Sequence, residues 1–148
     1  MGSPTQLHSI GSRSPSVLII DDDEYVHGAL EAALRVLHVR LLTAHTAAEG
    51  EALALQHRPH LAIVDVGLPD RDGYRLTADL RGAPTLAGMR ILILTGQSPD
   101  LLAARNAGAN DLILKPFRLH HFLEVVREQL DMRERDRRPM PAALARGA

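Results

Sequence analysis

Five short apolar segments recur along the chain, each as long as a β-strand. They occupy residues 17–20, 39–44, 61–64, 91–94 and 112–114. At least three of them are continuously apolar, which is typical of parallel strands covered on both faces. The pattern predicts five strands in one buried sheet.

The segments between these strands have the apolar spacing of helices. In the first, the side chains that share one helix face are Val26, Leu30, Leu34 and Leu37. The second begins at Thr46, with Glu49 three residues later in a capping-box pattern. It ends before Pro59, because the residue that precedes a proline disfavours the helical conformation.

Three further helices are predicted over residues 73–80, 98–108 and 118–130. Pro99 can occupy the first turn of the second of these, and Gly108 marks its end. Strand and helix therefore alternate five times, as (βα)5. This alternation predicts an α/β fold: a doubly wound five-stranded parallel sheet with right-handed crossovers and helices on both faces.

Candidate functional residues follow the predicted strands directly. In a doubly wound sheet, ligands bind beyond the carboxyl ends of the strands, where the strand order reverses. The polar residues at these positions are Asp21, Asp22, Asp23, Asp65, Thr95 and Lys115. Four strand ends thus bring acids, a hydroxyl and an ammonium to one edge of the sheet.

This set of side chains suits Mg²⁺ and phosphoryl chemistry. Clustered carboxylates repel one another and are tolerated around a hard divalent cation. A carboxylate can also act as a nucleophile and form an acyl phosphate, while a metal, a lysine and a hydroxyl neutralise the phosphoryl oxygens. Asp23 alone is equally well explained as the N-cap of the next helix.

The composition of the chain argues against several other classes of function. The net charge of −1 gives no sign of broad attraction to nucleic acid or to an anionic membrane. The absence of cysteine excludes disulfides and thiolate metal sites. No apolar run approaches the roughly 20 residues of a membrane helix, and the expected location is the cytoplasm.

From about residue 17 to residue 130, the chain resembles the receiver domain of bacterial two-component response regulators. The matching motifs are V-L-I-I-D-D-D, D-V-G-L-P-D-R-D-G-Y, I-L-I-L-T-G and G-A-N-D-L-I-L-K-P-F. The resemblance implies a flavodoxin-like sheet with strand order 2-1-3-4-5. It also implies that a sensor histidine kinase or a histidine phosphotransfer protein donates a phosphoryl group, and that a downstream effector protein responds.

The resemblance assigns a role to each matched residue. Asp65 is implied to be the phosphoacceptor, and Thr95 and Lys115 are implied to contact the phosphoryl group. The Mg²⁺ cofactor is implied to be held by Asp21, Asp22, Asp65 and the backbone carbonyl of Gly67. The Lys115-Pro116 peptide is expected to be cis. The chain is expected to catalyse its own phosphorylation and dephosphorylation rather than to turn over a separate substrate.

Three positions depart from the family or border its site. Leu112 stands where the family has an aromatic residue that swings inward on activation, so the readout of phosphorylation is open. Gly67 and Gln97 border the expected phosphoryl pocket and are expected to tune the lifetime of the acyl phosphate. Homodimerisation through the last strand and the two helices that flank it is a further expectation from the resemblance.

The sequence leaves two alternative functions open. A receiver-fold binding module that works without phosphorylation is favoured only by Leu112. A small phosphatase with Asp21 as nucleophile and Asp23 as acid resembles the haloacid dehalogenase signature in its D-x-D. That family continues with a small residue and a threonine, and this chain has Glu24 and Tyr25 instead.

The ends of the chain are predicted to lie outside the folded domain. Residues 1–15 are rich in Ser, Gly and Pro and are expected to be disordered. Residues 16–132 form the predicted receiver domain. Residues 133–148 are expected to form a charged and then Pro/Ala-rich flexible tail that does not contact nucleic acid. No second domain is predicted after it, which suggests a stand-alone regulator.

Overall fold

The computed structural model describes residues 14–96 and 98–137, in which five strands alternate with five helices. These are β1 Ser16–Ile20, α1 Glu24–Leu34, β2 Arg40–Ala44, α2 Ala47–His57, β3 Leu61–Asp65, α3 Gly73–Arg81, β4 Arg90–Thr95, α4 Leu101–Ala107, β5 Asp111–Leu114 and α5 Leu119–Arg137. Short 3₁₀ turns follow α1 and α3. All five predicted strands are confirmed.

The strands form one parallel sheet in the order β2-β1-β3-β4-β5, as expected. β1 lies between β2 and β3, and its last residue, Ile20, is paired with Ala44 on one side and Val64 on the other. The chain therefore crosses to opposite sides of β1 in its first two connections. This is the point of strand-order reversal, where a doubly wound sheet binds its ligands.

Two separate apolar layers cover the sheet. β1 is buried throughout and alternates its side chains between the layers, because successive residues of a strand point to opposite faces. Val17 and Ile19 pack with the apolar faces of α1 and α5, and Leu18 and Ile20 pack with those of α2 and α3. The continuous apolar runs in the sequence reflect this burial on both faces.

Two element boundaries differ from the prediction by more than one residue. α4 begins at Leu101, because Asp100 is its N-cap and accepts a hydrogen bond from the Ala103 N–H (2.9 Å). Pro99 therefore precedes the cap instead of occupying the first turn. α5 extends to Arg137, beyond the predicted domain end at residue 132. Residues 1–13 and 138–148, which include most of both predicted flexible ends, lie outside the described residues.

The start of α3 packs directly on the end of β3 through Gly73. The Gly73 N–H donates to the Val66 carbonyl (2.9 Å). A Cβ at this position would lie 2.4 Å from the Asp65 carbonyl oxygen and 2.6 Å from the Val66 Cα. Because these are backbone atoms, they cannot be relieved by a rotamer change, and the glycine is required by close approach rather than by its φ angle.

Gly73→Ala is therefore expected to lower the free energy of unfolding by about 1–3 kcal/mol, the usual cost of overpacking. Urea denaturation of the two proteins measures the difference. Gly28→Ala is the matched control, since a Cβ at Gly28, inside α1, meets no atom within 4 Å. It is expected to stabilise the protein by about 0.5–1 kcal/mol. Equal effects of the two substitutions would contradict the steric explanation.

Candidate phosphoryl and metal site

Three carboxylates meet at the strand-order reversal. Asp21 and Asp22 follow β1, and Asp65 ends β3. One carboxylate oxygen from each lies within 4.8 Å of the others. Asp21 is 1% exposed and Asp65 7% exposed, whereas Asp22 faces solvent. Such a set of oxygen ligands, open on one side, fits a hard divalent cation that keeps several waters.

Lys115 joins two of these acids. Its Nζ lies 2.8 Å from Asp65 Oδ1 and 3.1 Å from Asp21 Oδ2. Burial disfavours the ammonium form, but the hydrogen bond to Asp65 and the charges of both acids outweigh it, so the pKa of Lys115 lies above its ordinary value. The Lys115-Pro116 peptide is cis, as expected. A permanently charged ammonium thus stands next to the predicted phosphoacceptor.

Burial dominates the titration of Asp21. It raises the pKa of Asp21, and the charge of Asp65 adds to this effect. The Asp23 N–H (2.9 Å from Asp21 Oδ1) and Lys115 oppose it without reversing it. Because the pKa in the folded state is raised, ionised Asp21 costs stability, and the free energy of unfolding falls as the pH rises through that pKa.

Asp21→Asn is therefore expected to raise the free energy of unfolding in Mg²⁺-free buffer at neutral pH. Added Mg²⁺ is expected to stabilise the wild type by mass action and to leave the variant nearly unchanged. Thermal unfolding of both proteins, with Mg²⁺ and with a chelator, measures the two effects. A variant that is less stable than the wild type without Mg²⁺ would contradict the expectation.

Gly67 follows the predicted phosphoacceptor by two residues, and Thr95 ends the neighbouring strand β4. The Gly67 N–H donates to Asp65 Oδ2 (3.1 Å), so both carboxylate oxygens of Asp65 have a donor. Thr95 is 3% exposed at the end of β4, and its carbonyl accepts from the Lys115 N–H (2.7 Å). Gln97, the other residue expected to border the pocket, lies outside the described residues.

Asp23 caps the helix that follows β1, which is the simpler of the two interpretations given by the sequence. It is the N-cap of α1, and its Oδ1 accepts from the Tyr25 N–H (2.8 Å). Because this oxygen is engaged by the N-terminus of the helix, capping accounts for Asp23 without a catalytic role. This geometry weakens the phosphatase alternative.

A clamp on the loop after β3 was missed by the sequence reasoning. Asp70 accepts from the first N–H groups of α2, those of Ala47 (2.8 Å) and Ala48 (2.9 Å). Arg71 next to it binds Glu51 of α2 (3.0 Å) and Asp79 of α3 (2.9 Å). The loop that carries Gly67 is thereby attached to two helices. Local spacing could not reveal this clamp, because its partners come from distant parts of the chain.

The hydrogen bonds to Asp70 predict how the stability of the fold depends on pH. The hydrogen bonds from Ala47 and Ala48 lower the pKa of Asp70 from its ordinary value of 3.8. A lowered pKa contributes stability above the ordinary value, and this contribution is lost as the pH falls through the lower one. Carbon NMR titration is expected to show Asp70 titrating below pH 3.8. Asp70→Asn is expected to flatten the fall in stability below that pH, and an ordinary titration would contradict the clamp.

Comparison with known proteins gives the chain a family. Residues 17–127 match the family model described as the response regulator receiver domain. The transcriptional regulatory protein KdpE of Mycobacterium tuberculosis is 38% identical over 111 residues, which cover 75% of this chain and 49% of that protein. The DNA-binding regulator RpaA of Synechocystis is 35% identical over 130 residues, 86% of this chain and 53% of that protein. The chain spans about half the length of the curated relatives it matches.

Solved structures agree with the sequence match. A receiver domain protein (CheY-like) from Methanospirillum hungatei superimposes with a TM-score of 0.79 at 29% identity, covering 84% of this chain and 99% of that one. A response regulator from Chloroflexus aurantiacus gives a TM-score of 0.76 at 33% identity, covering 80% of this chain and 99% of that one. Fold, motif order and sequence similarity coincide, and the chain belongs to the response regulator receiver domain family.

Proposed function

We propose that this receiver accepts a phosphoryl group on Asp65 from a phosphohistidine of a sensor kinase or a histidine phosphotransfer protein. The observation that carries the proposal is the position of Lys115, whose ammonium bridges Asp65 and Asp21 beside three converging carboxylates. Asp21, Asp22, Asp65 and the Gly67 carbonyl are the proposed Mg²⁺ ligands. Buried acids that leave one side open to solvent support this assignment.

In the proposed reaction, a carboxylate oxygen of Asp65 attacks the phosphorus atom of the donor. The P–N bond breaks, and its electron pair stays on the departing imidazole nitrogen. Lys115 and the Thr95 hydroxyl donate to the phosphoryl oxygens, where negative charge accumulates. Asp21, Asp22, Asp65 and the Gly67 carbonyl would hold Mg²⁺, which would supply further charge neutralisation during the transfer. Hydrolysis of the acyl phosphate by water at the open side returns Asp65 to its carboxylate form.

We further propose that phosphorylation shifts an equilibrium at the face formed by α4, β5 and α5. Leu112 is half-buried on β5 and lines a depression shared with α4, so it can respond to movement of Thr95 on the neighbouring strand. Leu101 and Leu102 of α4 are each 67% exposed and offer this face apolar surface. An effector protein or a second copy of the chain is the proposed partner there.

The proposal covers the receiver alone. The DNA binding in the name of RpaA is said of that protein. We propose that this domain makes no direct contact with nucleic acid and acts in the cytoplasm. Within the described residues, none of the helices combines the length and the apolar character needed to cross a bilayer.

Intact mass after incubation with acetyl phosphate tests the proposal. One added phosphoryl group is expected in the presence of Mg²⁺ and none in the presence of a chelator. The adduct is expected to disappear on treatment with hydroxylamine, which cleaves acyl phosphates. A folded protein that gains no mass and shows no change with beryllofluoride would instead favour the phosphorylation-independent binding module.

A further inference from the structure

The ring of His27, which the proposed function does not use, is bound to the backbone of the acidic pair. His27 lies in the first turn of α1 and is 3% exposed. Its Nε2 lies 2.6 Å from the backbone carbonyl oxygen of Asp21. Because a carbonyl oxygen can only accept, Nε2 must carry the hydrogen, and the contact fixes the tautomer of the ring.

This contact completes the anchoring of Asp21 on both sides. The Asp21 N–H donates to the Ala44 carbonyl (3.0 Å) at the end of β2. The Asp21 carbonyl belongs to a residue that is 1% exposed and therefore needs a donor from the protein, which His27 supplies. Since this carbonyl is part of the planar Asp21–Asp22 peptide, fixing it also fixes the position of the Asp22 Cα, which carries the second carboxylate.

The surroundings of His27 hold its ring in this orientation. The ring of His45 packs against it, with centroids 4.5 Å apart and planes tilted by 40°. His45 follows β2 and is itself paired with Glu24, the first residue of α1. The ring of His27 thus lies where α1 meets the end of β2, beside the first acidic residue of the site.

A packing role alone does not explain a histidine here. Nδ1 of His27 is buried and has no hydrogen-bond partner among the described residues. A buried unpaired polar atom costs free energy, which a leucine of similar bulk would not. The other nitrogen makes a short hydrogen bond to the site, and this contact is what an apolar residue could not provide.

We propose that His27 is a positioning residue for the Mg²⁺ site, holding the Asp21–Asp22 peptide so that both carboxylates face the ion. The inference rests on the proposed function, because it requires that the acidic cluster bind Mg²⁺. Partners that orient metal ligands without touching the metal typically contribute about 10- to 100-fold to affinity. His27→Leu removes the donor and keeps the bulk, so its Mg²⁺ dissociation constant is expected to rise by that factor.

The test compares Mg²⁺ affinity in four proteins by isothermal titration calorimetry, with circular dichroism to verify the fold. They are the wild type, His27→Leu, His27→Gln and His57→Leu. Glutamine can donate from a similar distance and is expected to restore most of the affinity. His57→Leu is the matched control, since His57 is exposed at the end of α2, and it is expected to bind Mg²⁺ like the wild type.

Nitrogen-15 NMR of the metal-free wild type gives a second readout, which tests the contact between His27 and the Asp21 carbonyl directly and needs no variant. It is expected to show the hydrogen of His27 on Nε2, and the opposite tautomer would overturn the inference even if His27→Leu fails to fold. Unchanged affinity in folded His27→Leu, or no rescue by folded His27→Gln, would also overturn it and leave the proposed function standing. A wild type that does not bind Mg²⁺ would overturn both.

Discussion

Replacing Asp65 by asparagine is expected to abolish phosphorylation of the chain by acetyl phosphate. The amide has the same shape and can still accept from the Gly67 N–H, which lies 3.1 Å from Asp65 Oδ2. It lacks the anionic oxygen that must attack phosphorus, so the loss reflects chemistry and not misfolding. Intact mass is expected to show no adduct in the variant under conditions that modify the wild type. Unfolding curves of both proteins establish that the variant is folded.

Asp23→Asn is the matched control for this substitution. It makes the same chemical change next to the site, and asparagine caps a helix about as well as aspartate. Phosphorylation is therefore expected to be retained. Loss of the adduct in Asp23→Asn together with its retention in Asp65→Asn would contradict the assignment of Asp65. Turnover of a simple phosphate ester would be needed to revive the phosphatase hypothesis.

Replacing Phe122 by alanine is expected to lower the free energy of unfolding by about 3–5 kcal/mol, the usual cost of deleting a buried aromatic side chain. Phe122 is fully buried on α5, and its ring stacks on that of Phe117 with centroids 5.5 Å apart. The chain has only two phenylalanines and no tryptophan, so the layer under α5 depends heavily on this ring. Domains of this size have a total stability of about 5–15 kcal/mol, and the variant is expected to be close to unfolding.

Urea denaturation measures this loss, and Leu119→Ala is the comparison within the same helix. Leu119 is 46% exposed in the first turn of α5, so its truncation leaves no closed cavity and is expected to cost well under half as much. Similar losses for the two variants would contradict the conclusion that the burial of Phe122 determines the contribution of α5.

Much of the fold was predictable because burial on both faces leaves a simple pattern in the sequence. The apolar run at residues 17–20 reads as a covered parallel strand, and all four residues are fully buried. The acids after β1 and β3 were predictable as neighbours, because parallel strands end at the same edge of the sheet. The residue type that follows each predicted strand can be read directly from the sequence.

The contacts that orient the site were less visible. Asp70 meets the start of α2 through a loop whose path depends on the whole β3–α3 connection, and no local spacing encodes that meeting. His27 did leave a signal, since it precedes Leu30 and Leu34 by three and seven residues and so shares their buried helix face. A histidine on the apolar face of a helix that begins beside two acids indicates a polar contact in the core.

The two apolar layers have a consequence for how substitutions combine. The β-sheet separates the apolar cluster around Phe122 from the apolar cluster around Leu76 and Leu80. Because residues without shared partners contribute almost independently to stability, the effects of substitutions in the two clusters are expected to add. Sequence drift on one face can then be accommodated there without compensation on the other. The carboxyl edge of the sheet is different, because Asp21, Asp65 and Lys115 share partners and their effects cannot be summed. Evolution can therefore vary the two faces separately, but it must change this edge as a unit.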